Sequence, residues 1–146
     1  MTWDDKSIGF TIKCVNNLIR RRLDSTLDME GFSELCGIQV PVVGYIYDRS
    51  KEQDVFQRDI EKEFNIRRST ATVLLQNLEQ KGFIERISVE QDARLKKILL
   101  TRKAVERNQE IRHAIDRFNA GLERGLTEEE RSEFFRIMDR ITENLK

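Results

Sequence analysis

Proline, glycine, cysteine and histidine are all scarce in this sequence. One Pro and seven Gly among 146 residues disfavour a fold of strands and tight turns and favour long helices. Two Cys are too few for a disulfide framework, and with a single His they cannot supply the four ligands of a structural zinc site from one chain. A secretory signal and the ~20 apolar residues of a membrane span are both missing. We therefore expect a cytoplasmic protein with reduced thiols, no metal, no cofactor and no membrane partner.

Charge, in contrast, is abundant and balanced. Charged residues make up 36% of the chain, with 26 basic and 26 acidic side chains and a net charge of zero. A balanced total lacks the compositional signature of disorder, and the length suits one compact domain with helical extensions. Between residues 64 and 103, however, nine basic residues outnumber four acidic ones, so this segment carries +5 and the remainder −5. The zero total is therefore compatible with a nucleic-acid-binding surface confined to the centre of the chain.

Hydrophobic periodicity predicts a mainly helical fold with one small hairpin, in the order α-α-α-α-β-β-α-α. Two apolar, β-branched stretches, FIERISV and KKILLT, predict the hairpin because a polar turn separates them. Asp54, with Gln57 three residues later, is the predicted N-cap of the short helix before Asn65. Asn65 and Gly82 are predicted to end helices because both residue types tolerate the left-handed conformation. The predicted helices cover about residues 7–28, 40–49, 55–64, 67–81, 102–124 and 128–145.

A short helix, a tight turn, a longer helix and the hairpin follow one another in the centre of the chain. A helix-turn-helix has this order, because one helix crosses the phosphate backbone while the next is presented to the major groove. In the longer helix, Ala71, Leu74, Leu75 and Leu78 recur at the spacing of one buried face. The other side carries side chains that suit phosphates and base edges, and an ordinary solvated helix face is the alternative. These side chains are Arg68, Ser69, Thr70, Thr72, Gln76 and Asn77, with Val73 able to contact a thymine methyl.

The turn of the hairpin is basic. It places Arg94, Lys96 and Lys97 at or near a narrow tip, which suits insertion into a minor groove, where the negative potential attracts arginine. Asp92 is expected to hold the Arg94 guanidinium by a charge-assisted bond and to fix its direction. A solvated turn with a weak surface ion pair is the alternative.

Four short motifs carry a family resemblance. They are LEQKGFIER at the end of the longer helix, D-x-R at Asp92–Arg94, the pair Leu100–Thr101, and GLTEEER before the last helix. With these motifs, its length and its helix order, the chain resembles the multiple-antibiotic-resistance regulator (MarR) family. The resemblance implies a winged helix-turn-helix flanked by dimerisation helices, in a homodimeric bacterial regulator that binds double-stranded DNA and is more often a repressor. It divides the chain into an N-terminal dimerisation part, 1–36, a DNA-binding core, 37–103, and C-terminal dimerisation helices, 104–146.

The resemblance also implies a set of DNA contacts at a roughly palindromic operator. The recognition helix, about 67–81, enters the major groove, and the wing, about 89–97, reaches the adjacent minor groove. Val73 stands where the family often has a long polar or basic residue, so base readout there is expected to differ. The contacts implied by matching positions are Arg68, Ser69, Thr70, Thr72 and Gln76 on the helix and Arg94 on the wing. We also expect Arg67, Val73 and Lys96 to contact DNA, with Asp92 as the wing-orienting residue.

The sequence says little about regulation. The resemblance implies a response to a small aromatic or phenolic effector, to thiol oxidation or, in some members, to a metal. Tyr45 and Tyr47 are candidate ligand-binding residues, with core packing as the alternative. Cys14 lies in an apolar stripe and is expected to be buried, whereas Cys36 lies in a loop and is expected to be accessible. His113 is expected at a surface or an interface.

Two other function classes fit the sequence less well. It contains no nucleophile elbow, P-loop, dinucleotide-binding glycine motif or HExxH motif, so we do not expect an enzyme. A winged-helix module that binds only protein is the second alternative, but it would not need a basic wing and a polar recognition face. The terminal helices have more apolar surface than a compact winged core can cover, which predicts a second copy of this chain as partner.

Overall fold

The computed structural model describes residues 7–32 and 34–146. In these residues, six helices accompany a three-stranded antiparallel sheet of order β1-β3-β2. The predicted mainly helical fold with a small β wing is therefore confirmed. None of the described helices combines the length and the apolar character that crossing a membrane requires. The elements are α1 (Ile8–Met29), α2 (Gln39–Arg49), β1 (Val55–Phe56), α3 (Gln57–Phe64), α4 (Arg68–Gln80), β2 (Ile84–Val89), β3 (Asp92–Leu100), α5 (Arg102–Leu122) and α6 (Glu128–Leu145).

Three helix boundaries follow the local signals in the sequence. Asn65 has φ of 49° and ends α3, and Gly82 has φ of 77° two residues after α4, as expected for residues that adopt the left-handed conformation. At the start of α6, the Thr127 Oγ1 accepts from the Glu130 N at 3.1 Å and the Glu130 Oε2 accepts from the Thr127 N at 2.9 Å. This reciprocal pair is the predicted capping box.

The start of α3 differs from the prediction. Val55 and Phe56 form the short strand β1, in which Val55 lies opposite Ile98 of β3, so the helix begins at Gln57 rather than after Asp54. The carboxylate that satisfies the helix start is Asp59, whose Oδ2 accepts from the Phe56 N at 2.8 Å. The predicted Asp54 cap is wrong because pairing with a strand some 40 residues away keeps Val55 and Phe56 extended. This pairing joins the start of α3 to the wing.

The chain forms two compact units, one up to Ala114 and one from Ile115. In the first unit, α3, α4 and the sheet share an apolar core that includes Ile60, Leu75, Leu78 and Ile98, each 1% exposed or less. Burial of each such side chain stabilises the fold by about 1.5–3 kcal/mol. The core holds α4 against α3 and β2, and it thereby fixes which face of α4 points outward.

Helix α1, in the first unit, leaves a wide apolar face uncovered. Ile8, Phe10, Val15 and Leu18 keep between 43% and 61% of their surface exposed, and Leu27 is the one buried residue of the helix. Cys14 is also exposed, so the expectation of a buried thiol is wrong. The stripe of α1 that contains Cys14 is apolar, but no described element of the first unit packs on this stripe.

Helix α6, in the second unit, has an uncovered apolar face of its own. Phe134, Phe135 and Ile137 are 54%, 47% and 43% exposed, and none of the described α6 residues is buried. The two phenylalanine rings contact each other edge to face, with their centroids 5.4 Å apart. Exposed apolar surface of this extent on a helix indicates an interaction surface.

Candidate nucleic-acid interface

Helix α4 presents the two faces that the sequence predicts. Ala71, Leu74, Leu75 and Leu78 are buried and pack against the core. The side chains on the outer face are exposed, and Val73 is the largest apolar one among them, with 61% of its surface accessible. The exposed residues at the start of the helix and along its outer face are Arg67, Arg68, Ser69, Thr70, Val73, Gln76 and Asn77.

Thr72 differs from its neighbours on α4 because it is half-buried and its hydroxyl is already bonded. The Thr72 Oγ1 donates to the Arg68 O one turn earlier at 2.9 Å. It also accepts from the Gln57 Nε2, at the start of α3, at 3.0 Å. The same Gln57 nitrogen lies 3.3 Å from the Arg68 O. The side chain that the sequence marks as a DNA contact thus joins the two helices of the helix-turn-helix.

Strands β2 and β3 form the wing, with a turn at residues 90–91. Arg94 and Lys96 are exposed on β3 close to this turn. Lys97 is not at the tip, because it lies opposite Phe56 and Ile87 in the body of the sheet. Lys97 directly follows Lys96, so it lies near the turn rather than at it.

The Asp92 carboxylate contacts the backbone of the wing. Its Oδ1 accepts from the Arg94 N at 2.9 Å, a local turn geometry that aspartate favours. Within the described residues, no ion pair joins the Asp92 carboxylate to the Arg94 guanidinium, so the contact differs from the expected one. The guanidinium of Arg94 thereby stays available to an external anion.

A cleft of about 390 Å³ opens between the start of α3, the first turns of α4 and strand β3. Its lining contains five basic side chains and one acidic side chain, Glu61. Arg58 and Arg86 belong to this set but were not predicted as site residues. The sequence of a short helix or of a hairpin strand does not indicate which side chains line a common cleft. The five basic residues are Arg58, Arg68, Arg86, Arg94 and Lys96.

Arg86 also connects the wing to the end of α4. Its Nε donates to the Glu79 Oε2 at 3.2 Å and its Nη2 to the Glu79 Oε1 at 3.1 Å. This bidentate contact lowers the pKa of Glu79 below its usual 4.5, chiefly through the hydrogen bond from Arg86. The pair links β2 to the last turn of the helix.

The geometry is that of a winged helix-turn-helix, and comparison with known proteins identifies its family. A model described as MarR family matches residues 35–95. The transcription regulator MarR from Oenococcus oeni PSU-1 is 34% identical over 94% of this chain and 99% of that one, with a TM-score of 0.76. The chain belongs to the MarR family. It is accordingly a winged-helix, DNA-binding transcription regulator.

Other MarR-like structures share the fold at lower identity. MepR from S. aureus, solved in complex with DNA, has 22% identity, covers 98% of this chain and 99% of its own, and has a TM-score of 0.85. PcaV from Streptomyces coelicolor, solved with its natural ligand, has 18% identity, full coverage of both chains and a TM-score of 0.83. No curated protein sequence gives a significant match.

The candidate ligand residues of this MarR-family chain have packing partners. Tyr45 contacts the Phe64 ring edge to face at 5.8 Å. The Tyr47 ring lies 4.2 Å from the Lys51 Nζ and 5.3 Å from the Arg112 guanidinium. Both tyrosines remain half-buried, so each keeps some accessible surface.

Cys36 was expected to be accessible, and His113 was expected at a surface or an interface. Both are exposed, and the Cys36 N and Sγ both lie within reach of the Gln39 Oε1, at 3.3 Å and 3.8 Å. Among residues 7–32 and 34–146, no group of three or more His, Cys, Asp and Glu side chains is placed to hold a metal ion.

Proposed function

We propose that this MarR-family regulator binds operator DNA as a homodimer and represses transcription until a small effector weakens the complex. In each copy, α4 enters a major groove and the wing of β2 and β3 enters the adjacent minor groove. The observation that carries the proposal is the basic cleft between helix and wing, with its five basic side chains and one acidic one.

The position of the cleft suits one strand of a duplex. A major groove and its neighbouring minor groove are separated by one sugar-phosphate backbone, so a protein that reaches into both must accommodate that backbone between the two reading elements. Here the space between α4 and β3 is lined by arginine and lysine, the side chains that neutralise phosphates. The start of α4 has no side-chain cap among the described residues, which leaves backbone N–H groups for an anion.

The proposed contacts divide by chemistry. Arg68 and Gln76 are suited to base edges, Ser69 and Thr70 to phosphates or base edges, and Val73 to a thymine methyl. On the wing, Arg94 would enter the minor groove and Lys96 would contact its phosphate edge, with Asp92 holding the turn. Arg67 at the start of α4 and the cleft arginines Arg58 and Arg86 would contact the backbone.

Dimerisation is proposed from the uncovered apolar faces of α1 and α6. Each face lies outside residues 37–103, the proposed DNA-binding core, and each would be buried by a second copy of the chain. The flanking segments 1–36 and 104–146 would then be dimerisation regions. Two symmetric copies would present two recognition helices, which fits a pseudo-palindromic operator.

The effector is proposed to be a small aromatic or phenolic molecule. PcaV was solved with its natural ligand, and the half-buried Tyr45 and Tyr47 offer aromatic surface for such a molecule in this chain. Because its relatives are transcription regulators, we propose no enzymatic activity.

The salt dependence of duplex binding tests the proposed function. The probe is a duplex that the protein selects from a random-sequence library. With about three to five phosphate contacts per copy, affinity should fall about 10³- to 10⁵-fold between about 50 and 200 mM salt. Replacing Arg58 with Gln should lower the slope by about two for the dimer, one for each lost contact.

The matched control is Arg49→Gln, which removes the same charge from an exposed residue at the end of α2, outside the cleft. Its slope should equal that of the wild type. A wild-type affinity that does not change with salt, or no duplex binding at low salt, would contradict the proposal and favour a winged-helix module that binds protein only.

A further inference from the structure

Gln57, the first residue of α3, makes the connection between the two helices of the helix-turn-helix. Its Nε2 lies 3.0 Å from the Thr72 Oγ1 and 3.3 Å from the Arg68 O, while the Thr72 Oγ1 lies 2.9 Å from the same carbonyl. Because a carbonyl oxygen can only accept, the amide nitrogen of Gln57 must point at it. These three groups form a closed triangle, named here the Gln57 clamp.

The Gln57 clamp restricts what Thr72 can do. A threonine hydroxyl has one proton and two lone pairs, and in the clamp the proton goes to the Arg68 O while one lone pair accepts from Gln57. To donate to a base, Thr72 would have to give up its hydrogen bond to the Arg68 O, which costs free energy. Donation to a base by this hydroxyl is therefore disfavoured.

The Gln57 clamp also lies between the wing and the recognition helix. Gln57 directly follows β1, and β1 pairs with β3 of the wing through Val55–Ile98 and Phe56–Lys97. Strand β1 thus connects β3 of the wing to Gln57, which is bonded to the first two turns of α4. Gln57 and Thr72 both line the basic cleft, as do Arg68 and Arg94 on its two sides.

We propose that Gln57 and Thr72 are positioning residues that set the spacing between the first turns of α4 and the wing, and that neither selects a base. This inference rests on the proposed function, because the spacing matters only if α4 and the wing engage adjacent grooves of one duplex. Specific binding needs both elements in register, whereas non-specific binding depends on phosphate charge alone. Loss of the clamp should consequently lower specific affinity more than non-specific affinity.

The test compares Gln57→Leu and Thr72→Val, which remove the clamp while keeping most of the side-chain volume, with Thr72→Ser, which keeps the hydroxyl. Affinity is measured for the duplex that the wild type selects and for an unrelated duplex of equal length. Gln57→Leu and Thr72→Val should each lower the affinity for the selected duplex about 3- to 10-fold. The double variant should lose no more affinity than the more affected single variant. Thr72→Ser should restore wild-type affinity, and binding to the unrelated duplex should change less than twofold.

Two further readouts separate positioning from base reading and from general destabilisation. The base preferences of Thr72→Val, measured by repeating the selection, should match those of the wild type at every position. Amide hydrogen exchange in the first two turns of α4, measured without DNA, should be faster in Gln57→Leu than in the wild type. The matched control is Gln53→Leu, a change at an exposed glutamine before β1 that is not among the cleft residues. It should alter neither the base preferences nor the exchange rates in α4.

The outcomes distinguish this inference from the proposed function. A loss of preference at one base position in Thr72→Val but not in Gln57→Leu would overturn the inference and make Thr72 a base-reading residue. Additive losses in the double variant would overturn it as well. Failure of the wild type to bind any duplex would instead refute the proposed function, while the exchange rates in α4 would still report whether the clamp exists in solution.

Discussion

Replacing Arg94 with alanine is expected to weaken binding of the proposed dimer to the selected duplex by at least about 25-fold. Arg94 is exposed beside the turn of the wing, and within the described residues no carboxylate pairs with its guanidinium. It is therefore free to enter the negative potential of a minor groove. Loss of one arginine contact costs about 1–3 kcal/mol, and the proposed dimer loses two. Each 1.4 kcal/mol corresponds to a tenfold change in affinity.

The comparison that isolates this contact is Arg49→Ala, which removes one arginine outside the basic cleft and should change affinity less than twofold. Both variants should unfold at wild-type temperatures, because Arg94 is exposed and the Arg49–Glu52 ion pair, at 3.7 Å between exposed side chains, contributes little to stability. An Arg94→Ala protein that bound as tightly as the wild type would refute the wing assignment and leave α4 as the sole reading element.

Replacing Leu18 with glutamate is expected to convert the proposed homodimer into a folded monomer and to weaken binding to the selected duplex more than 100-fold. Leu18 is 58% exposed in the single chain, so the change leaves the fold of one copy undisturbed. In the proposed dimer, however, the carboxylate would be buried against apolar side chains without a partner, which is strongly unfavourable. A monomer also loses the effective concentration that links the two half-sites.

Light scattering measures the oligomeric state, and circular dichroism reports the helix content. Asn16→Glu adds the same charge to α1 at an exposed polar position and is expected to stay dimeric. A dimeric Leu18→Glu protein with full affinity would show that this face of α1 lies outside the interface. A wild type that is monomeric at micromolar concentration would remove the palindromic arrangement altogether.

The elements that the sequence predicts correctly are those with local signals. Asn65 and Gly82 adopt left-handed conformations and mark helix ends. The inward face of α4 repeats at helical spacing. Both the helix ends and this face are therefore encoded by nearby residues and do not depend on distant contacts. Strand β1 could not be predicted, because two residues show no periodicity and their partners, Ile98 and Lys97, lie far along the chain. Non-local pairing of this kind is decided by the tertiary fold.

The candidate site was predictable to a similar extent. Exposed residues of α4 and the wing, such as Arg68 and Arg94, follow from spacing and from motifs. The roles of Gln57, Arg58 and Arg86 depend on which elements meet across the cleft, and no local pattern encodes that. The prediction that Cys14 is buried failed for another reason. An apolar stripe indicates that a helix face becomes covered, but not whether the covering surface comes from the same chain.

Selection from a random duplex library, followed by native mass spectrometry of the protein bound to the selected duplex, tests the proposed DNA-bound dimer. We expect an inverted repeat whose half-sites lie about 10 base pairs apart or at a multiple of that spacing, occupied by two chains per duplex. Enrichment of a single unrepeated motif bound by one chain, or no enrichment at all, would contradict a dimer that reads adjacent grooves with α4 and the wing.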